Sequence, residues 1–199
     1  MPPAKQRTPE LRDHVLAAAL ELLAGEGVGG FTARGVATAA GTSTPAVYEL
    51  FGDKGGLLRE VFFAGFRLLA DQLAGVAVTA DPRADLVALL DRYRRFMGEH
   101  AVLAEVMFSR PFTDFQPGEA ELDASSSVRI LVVARVRRCT RAGVLDGDDT
   151  DIAHVLVALV QGLAAAERAR RLGAGAASID RRWSLALEAV LHGFGPQRA

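Results

Sequence analysis

A single cysteine, Cys139, stands among 199 residues, so no disulfide can form within the chain, which accords with a reducing compartment. The sequence also lacks an unbroken apolar run of the ~20 residues that a membrane span needs. Its longest apolar stretch, around Val155 to Ala166, is interrupted by Gln161. No apolar segment follows the basic residues at the start of the chain, so nothing resembles a secretory signal. These absences predict a cytoplasmic protein with no membrane partner.

Sheet signals are missing as well, since β-branched residues do not alternate with polar ones anywhere. Internal repeats and Ser/Gly/Pro linkers are not found. His14, His100, His154 and His192 share no metal-ligand spacing with one another or with Cys139. Neither a nucleophile elbow nor an acid–base dyad is visible, so no metal, cofactor or catalytic residue is expected. Gly25, Gly27 and Gly30 satisfy the spacing of a dinucleotide-binding loop. That loop needs a strand before it and a helix opening after it, and here a helix precedes it.

Charge of one sign is lacking too. The 23 Lys and Arg face 24 Asp and Glu, a net charge of -1. Residues 1–58 hold Lys5, Arg7, Arg12, Arg34 and Lys54 against Glu10, Asp13, Glu21, Glu26, Glu49 and Asp53. That near balance weighs against strong nonspecific binding of nucleic acid, which rests on neutralised phosphates.

What is present is helical periodicity in a chain that is 50% apolar, enough for one domain or two small ones. The pattern predicts an all-α fold, with an N-terminal three-helix unit of helix-turn-helix layout and a C-terminal helical bundle. Thr8 caps the first helix with Pro9 at its first position. Leu11, Val15, Ala18 and Leu22 form its buried stripe, and Gly25 with Gly27 ends it. Two short helices, 33–40 and 45–50, flank Gly41-Thr42-Ser43, with Thr44-Pro45 marking the second start. Gly41 permits the left-handed backbone a sharp turn requires. Val36, Ala37, Ala40, Val47 and Phe51 make their shared core. Asp53 caps a long helix reaching about Val76, and Asp81-Pro82 opens the next. Further helices are expected at 82–100, 101–109, 119–142, 149–172 and 179–194, with a loop at 111–118. The division expected is 1–52 for the helix-turn-helix and 53–199 for the bundle.

From Phe31 to Leu58 the chain reads FTARGVATAAGTSTPAVYELFGDKGGLL. Thr32, Val36-Ala37, Ala40-Gly41, Val47-Tyr48, Leu50-Phe51, Lys54 and Leu57-Leu58 closely resemble the DNA-binding region of TetR-family regulators. The resemblance implies that Thr32, Tyr48 and Lys54 touch phosphates, and that Ser43 to Leu50 line a recognition helix in the major groove of operator DNA. The residues suit those roles: a phenol one turn into a helix can donate to a phosphate, and Lys54 stands at a helix N-terminus, itself an anion site. Arg34 is placed for a bidentate contact with guanine or phosphate, and Arg7 with Lys5 for following the backbone. Thr44, Pro45 and Ala46 would face the bases, Thr44 and Ala46 meeting thymine methyls. Glu49 would repel phosphate unless it accepts from a cytosine amine or stays in solvent.

The family resemblance further implies a cavity for a small-molecule effector among Phe66, Leu69, Tyr93, Phe96, Met97, Met107, Phe108 and Phe112, with Arg135 and Gln161 as polar contacts. It implies a homodimer in which the last two helices pair with their copies. Val155, Leu159 and Leu163 on one helix and Trp183, Leu187, Val190 and Phe194 on the next are the candidates. The long helix from Lys54 would carry the signal, rising roughly 18 Å to Phe66 at about 1.5 Å per residue. The function expected is a non-enzymatic regulator, a repressor released by a largely apolar ligand. A ligand-sensing helical module that does not act through DNA, or an all-helical enzyme, are the alternatives.

Overall fold

The computed structural model describes residues 8–109, 112, 115 and 118–196. Among the described residues it holds nine helices and no strand: α1 (Pro9–Gly30), α2 (Ala33–Ala39), α3 (Thr44–Phe51), α4 (Lys54–Ala74), α5 (Pro82–Glu99), α6 (Ala101–Ser109), α7 (Glu119–Arg141), α8 (Asp149–Arg168) and α9 (Ala176–Gly193). The all-α expectation holds. The chain folds as two compact units, one from the described parts of Met1–Arg67 and His100–Asp123, the other from Leu68–Glu99 and Ala124–Ala199.

In the first unit Thr8 caps α1 as expected, its hydroxyl accepting from the Leu11 N–H at 3.4 Å, with Pro9 in the first turn. The helix does not stop at Gly25 and Gly27. Gly27 takes φ 71 and kinks it, one more turn follows to Gly30, and Phe31 is delivered into the core. The buried stripe of α1 is Val15, Ala18, Ala19 and Leu23, whereas Leu11 and Leu22 are half-buried. The five residues expected to form the helix-turn-helix core, Val36, Ala37, Ala40, Val47 and Phe51, are all buried. Burying each Val here stabilises the unit by about 1.5 kcal/mol. Leu57, Leu58, Val61, Phe62 and Phe66 of α4 and Leu103, Ala104, Val106 and Met107 of α6 extend this core. Aromatic rings fill its middle: Phe66 lies 4.8 Å from Phe62 and 5.5 Å from Phe108 between centroids.

In the second unit the core is built by Leu86, Leu89, Leu90, Tyr93 and Phe96 of α5, with Val132, Val136 and Cys139 of α7, Ile152, Leu156 and Val160 of α8, and Trp183, Leu187 and Leu191 of α9. Asp85, 3% exposed, accepts from the Thr79 N–H at 2.8 Å and the Thr79 hydroxyl at 2.7 Å, and pairs with Arg138. At another corner Arg94 binds Glu167 and Asp180 and stacks on Trp183, 4.6 Å from its ring, while the Trp183 indole donates to Glu167.

The α8–α9 connection departs from expectation. The α8 helix ends at Arg168, not 172, because Arg170 turns into left-handed backbone at φ 56 and Arg171 N–H reaches back to the Ala166 carbonyl. The α9 helix starts three residues early, at Ala176. An 18-residue window of α8 has mean hydropathy 1.3, the length and composition of a membrane-crossing helix. That composition is invisible to a count of uninterrupted apolar residues. Ile152, Ala153, Leu156 and Val160 are buried and the Gln161 amide bonds to Tyr93, so one face of α8 packs into its unit.

Candidate nucleic-acid interface

The candidate interface is built from α2, its turn and α3. Thr32 caps α2, its hydroxyl oxygen accepting from the Gly35 N–H at 3.0 Å, which leaves the O–H proton for an anion outside. After α2, Gly41 adopts φ 60 and Thr42 N–H returns to the Ala37 carbonyl at 2.9 Å. A residue with a Cβ enters that backbone region only at a cost. Ser43, not Thr44, then caps α3 by accepting from Ala46 N–H at 3.3 Å, which makes Pro45 the second helical residue. The shift costs nothing, since Pro45 still replaces an N–H that would have no helical partner.

This register buries Val47 and Phe51 and turns the other face outward. Ser43, Pro45 and Glu49 are exposed, Tyr48 is 44% exposed, and Thr44 and Ala46 are half-buried beside them. Arg34 is exposed on α2, and half-buried Lys54 opens α4, whose N-terminus is capped by Asp53 through the Gly56 N–H at 2.7 Å. None of the described residues expected at DNA is buried; Arg7 lies outside the described residues. Lys5 lies outside them too.

Residues elsewhere in the unit hold this face, through partners that the sequence pattern does not mark. Arg12 of α1 donates to the Leu50 carbonyl at 2.7 Å, pairs with Glu60 at 2.7 Å and lies 4.7 Å above the Phe51 ring. His14 Nε2 donates to the Ala40 carbonyl at 3.2 Å. Arg59 pairs with Glu121, which is 2% exposed. Burial alone would push the Glu121 carboxyl up, but hydrogen bonds from Arg59 and from backbone N–H groups, Gly118 among them, hold it below the ordinary value. Two of the basic residues of 1–58 or its flank, Arg12 and Arg59, are therefore engaged inside the unit. Amphipathic spacing alone carries no signal for such partners.

The residues expected around an effector divide between the units. Phe66, Met107, Phe108 and Phe112 belong to the first, and Leu69, Tyr93, Phe96, Met97, Arg135 and Gln161 to the second. Gln161 donates to the Tyr93 hydroxyl at 2.9 Å, a polar pair inside an apolar unit. Arg135 is buried, but its guanidinium holds the carbonyls of Val76 and Ala77 at 2.6 and 3.1 Å. A surface groove of about 490 Å³ between α7 and α8 is lined by Arg129, Ile130, Val133, Ala134, Arg137, Thr150 and His154.

Of the residues expected at a dimer interface, Trp183 and Leu187 are buried within the second unit itself. Leu159, Leu163, Val190 and Phe194 are half-buried. Val155 is 44% exposed, and α9 turns Leu185 outward at 68% exposure.

An exposed, capped recognition helix over a buried apolar core, with Arg34 and Lys54 on its flanks, defines a helix-turn-helix DNA-binding regulator. Residues 15–61 match bacterial regulatory proteins of the tetR family, and residues 86–190 match the tetracyclin repressor-like C-terminal domain. The chain belongs to the TetR family. It is similar to a solved protein of unknown function from Rhodococcus sp. RHA1, with 27% identity and a TM-score of 0.80 over 98% of this chain and 100% of that one. The TetR-family transcriptional regulator PfmR from Thermus thermophilus shares 19% identity, with a TM-score of 0.68 over 92% and 99%. TetR-Q116A from Acinetobacter baumannii AYE, solved in complex with minocycline, shares 20% identity, with a TM-score of 0.64 over 90% and 93%. A search of curated proteins found no match.

Proposed function

We propose that this regulator is a repressor that binds operator DNA as a homodimer and leaves it when a small, largely apolar effector binds. The observation that carries the DNA reading is the exposed face of α3 and its flanks: Ser43, Thr44, Pro45, Ala46 and Tyr48 with Arg34, Thr32 and Lys54. Phosphate contacts from Thr32, Tyr48 and Lys54 set the register, and Thr44, Ala46 and Arg34 read bases. With so few cations, specificity depends on the base contacts and on two recognition helices acting together. Half-sites would lie about one helical turn apart, ~34 to 36 Å, or a multiple of it.

The dimer reading rests on α8. Only 22% of its apolar window is buried within the chain, and a helix that apolar needs cover on its other side. A second copy would cover Val155, Leu159 and Leu163, with Leu185, Val190 and Phe194 from α9. The effector reading is supported by the aromatic interiors of both units and by the minocycline complex of the Acinetobacter baumannii neighbour. In this division residues 1–52, with Lys54 at the start of α4, touch DNA, while the rest of 53–199 binds effector and pairs, and α4 links the two roles.

A mobility-shift titration against the DNA upstream of the chain's own gene tests the reading. A discrete shifted band that survives competitor DNA supports it. Binding equal to that on a random duplex at every salt concentration overturns it.

A further inference from the structure

Phe112 lies between α6 and α7, far in sequence from the helix-turn-helix, yet its ring touches both ends of it. The ring is 7% exposed and its centroid is 5.8 Å from that of Phe31, the residue preceding the Thr32 cap of α2. The Lys54 ammonium lies 5.3 Å from the Phe112 centroid. Two further residues that follow Phe112 in sequence also meet α4: Phe115 packs on Phe62 at 5.7 Å, and Glu121 pairs with Arg59. Phe112 therefore meets Lys54, the last of the three residues assigned to phosphate, directly, and Phe31, the chain neighbour of the first.

We propose that Phe112 is a positioning residue of the DNA-contacting surface, an aromatic rest that orders the Lys54 side chain at the start of α4. The proposal rests on the reading of Lys54 as a phosphate contact. A lysine loses much rotamer freedom when it is fixed on a phosphate, and ordering it beforehand lowers the cost of binding. An aromatic face can order an ammonium through its quadrupole without cancelling its charge. Operator affinity is then set in part by a residue outside the helix-turn-helix.

The test uses the full chain and a labelled duplex of the DNA upstream of its gene. Phe112→Leu keeps apolar cover over Phe31 and removes the π face, while Phe112→Tyr keeps both. Phe112→Leu is expected to weaken binding by about 2- to 10-fold, with Phe112→Tyr near wild type, and the loss should vanish in a Lys54→Gln background. Should Phe112→Leu fail to fold, a trifluorinated phenylalanine at position 112 keeps the shape and drains the ring face, and it must weaken binding similarly. Wild-type affinity of Phe112→Leu or of the fluorinated protein overturns the proposal, as does an undiminished loss in the Lys54→Gln background, which would make Phe112 structural only. If Lys54→Gln alone leaves affinity unchanged while other interface variants lose it, the phosphate role of Lys54 falls, and the proposal with it. If no variant alters binding, the DNA reading itself is wrong.

Discussion

Arg12 Nη1 donates to the Leu50 carbonyl at 2.7 Å, so the last turn of the recognition helix α3 is held by a side chain of α1. The same guanidinium pairs with Glu60 and covers the Phe51 ring, joining three helices through one residue. Arg12→Met keeps part of the apolar stem and removes the bonds. It should cost about 1 kcal/mol of stability, since a bond from a charged group contributes roughly 1.5–3 kcal/mol when buried and less at this partly exposed site. Urea denaturation measures the loss, and an unchanged midpoint would show that the contact is idle.

Tyr48→Phe and Lys54→Ala should each weaken binding to all duplexes alike, because each would remove a phosphate contact proposed above. Lys54→Ala should also lower the salt slope by about 1. Thr44→Ala or Arg34→Ala should instead change which sequences are preferred, read by binding to a panel of point-substituted duplexes. Uniform weakening by all four variants would mean that none reads bases.

Acid should loosen the second unit through Asp85. Hydrogen bonds from Arg138 and then Thr79, opposed by burial, hold its carboxyl down to about 2 against an ordinary 3.8. Because the folded value lies below the unfolded one, the stabilisation is complete above the unfolded value and is lost as pH falls through the folded one. The wild-type denaturation midpoint should therefore drop between about pH 4 and about pH 2. Asp85→Asn lacks that stabilisation at neutral pH already and should fall less steeply over the same range. Parallel curves for the two proteins would contradict the assignment.

Assembly should depend on Val155 and Leu185, which are 44% and 68% exposed and so contribute little to the folding of one chain. The double variant Val155→Glu, Leu185→Glu should keep its helical spectrum and sediment as a monomer. A dimer that persists in this variant places the interface elsewhere.

The helix-turn-helix is legible in the sequence because its determinants are local. Thr32 and Ser43 lie within three residues of the N–H groups they cap, and Val36, Ala37, Val47 and Phe51 meet across a short turn. The near misses are also local. Thr44 and Ser43 are both good caps, and their order is decided by which register buries Val47 and Phe51. Gly27 disrupts α1 without ending it, since one glycine in left-handed backbone can be followed by another helical turn.

Helical class, the capped recognition helix, its exposed residues and its small core were determined by the sequence itself, because helix periodicity and capping act over three or four residues. The tertiary structure alone decided what the long-range partners do: Arg12 on Leu50, Phe112 under Lys54, Arg135 on the carbonyls of Val76 and Ala77, and Trp183 inside its own unit rather than on its surface. Those residues could equally have faced a ligand, a partner or solvent by their spacing. Contacts between residues tens of positions apart are set by how whole helices pack, and an arginine or an aromatic ring binds whichever neighbour that packing brings within reach.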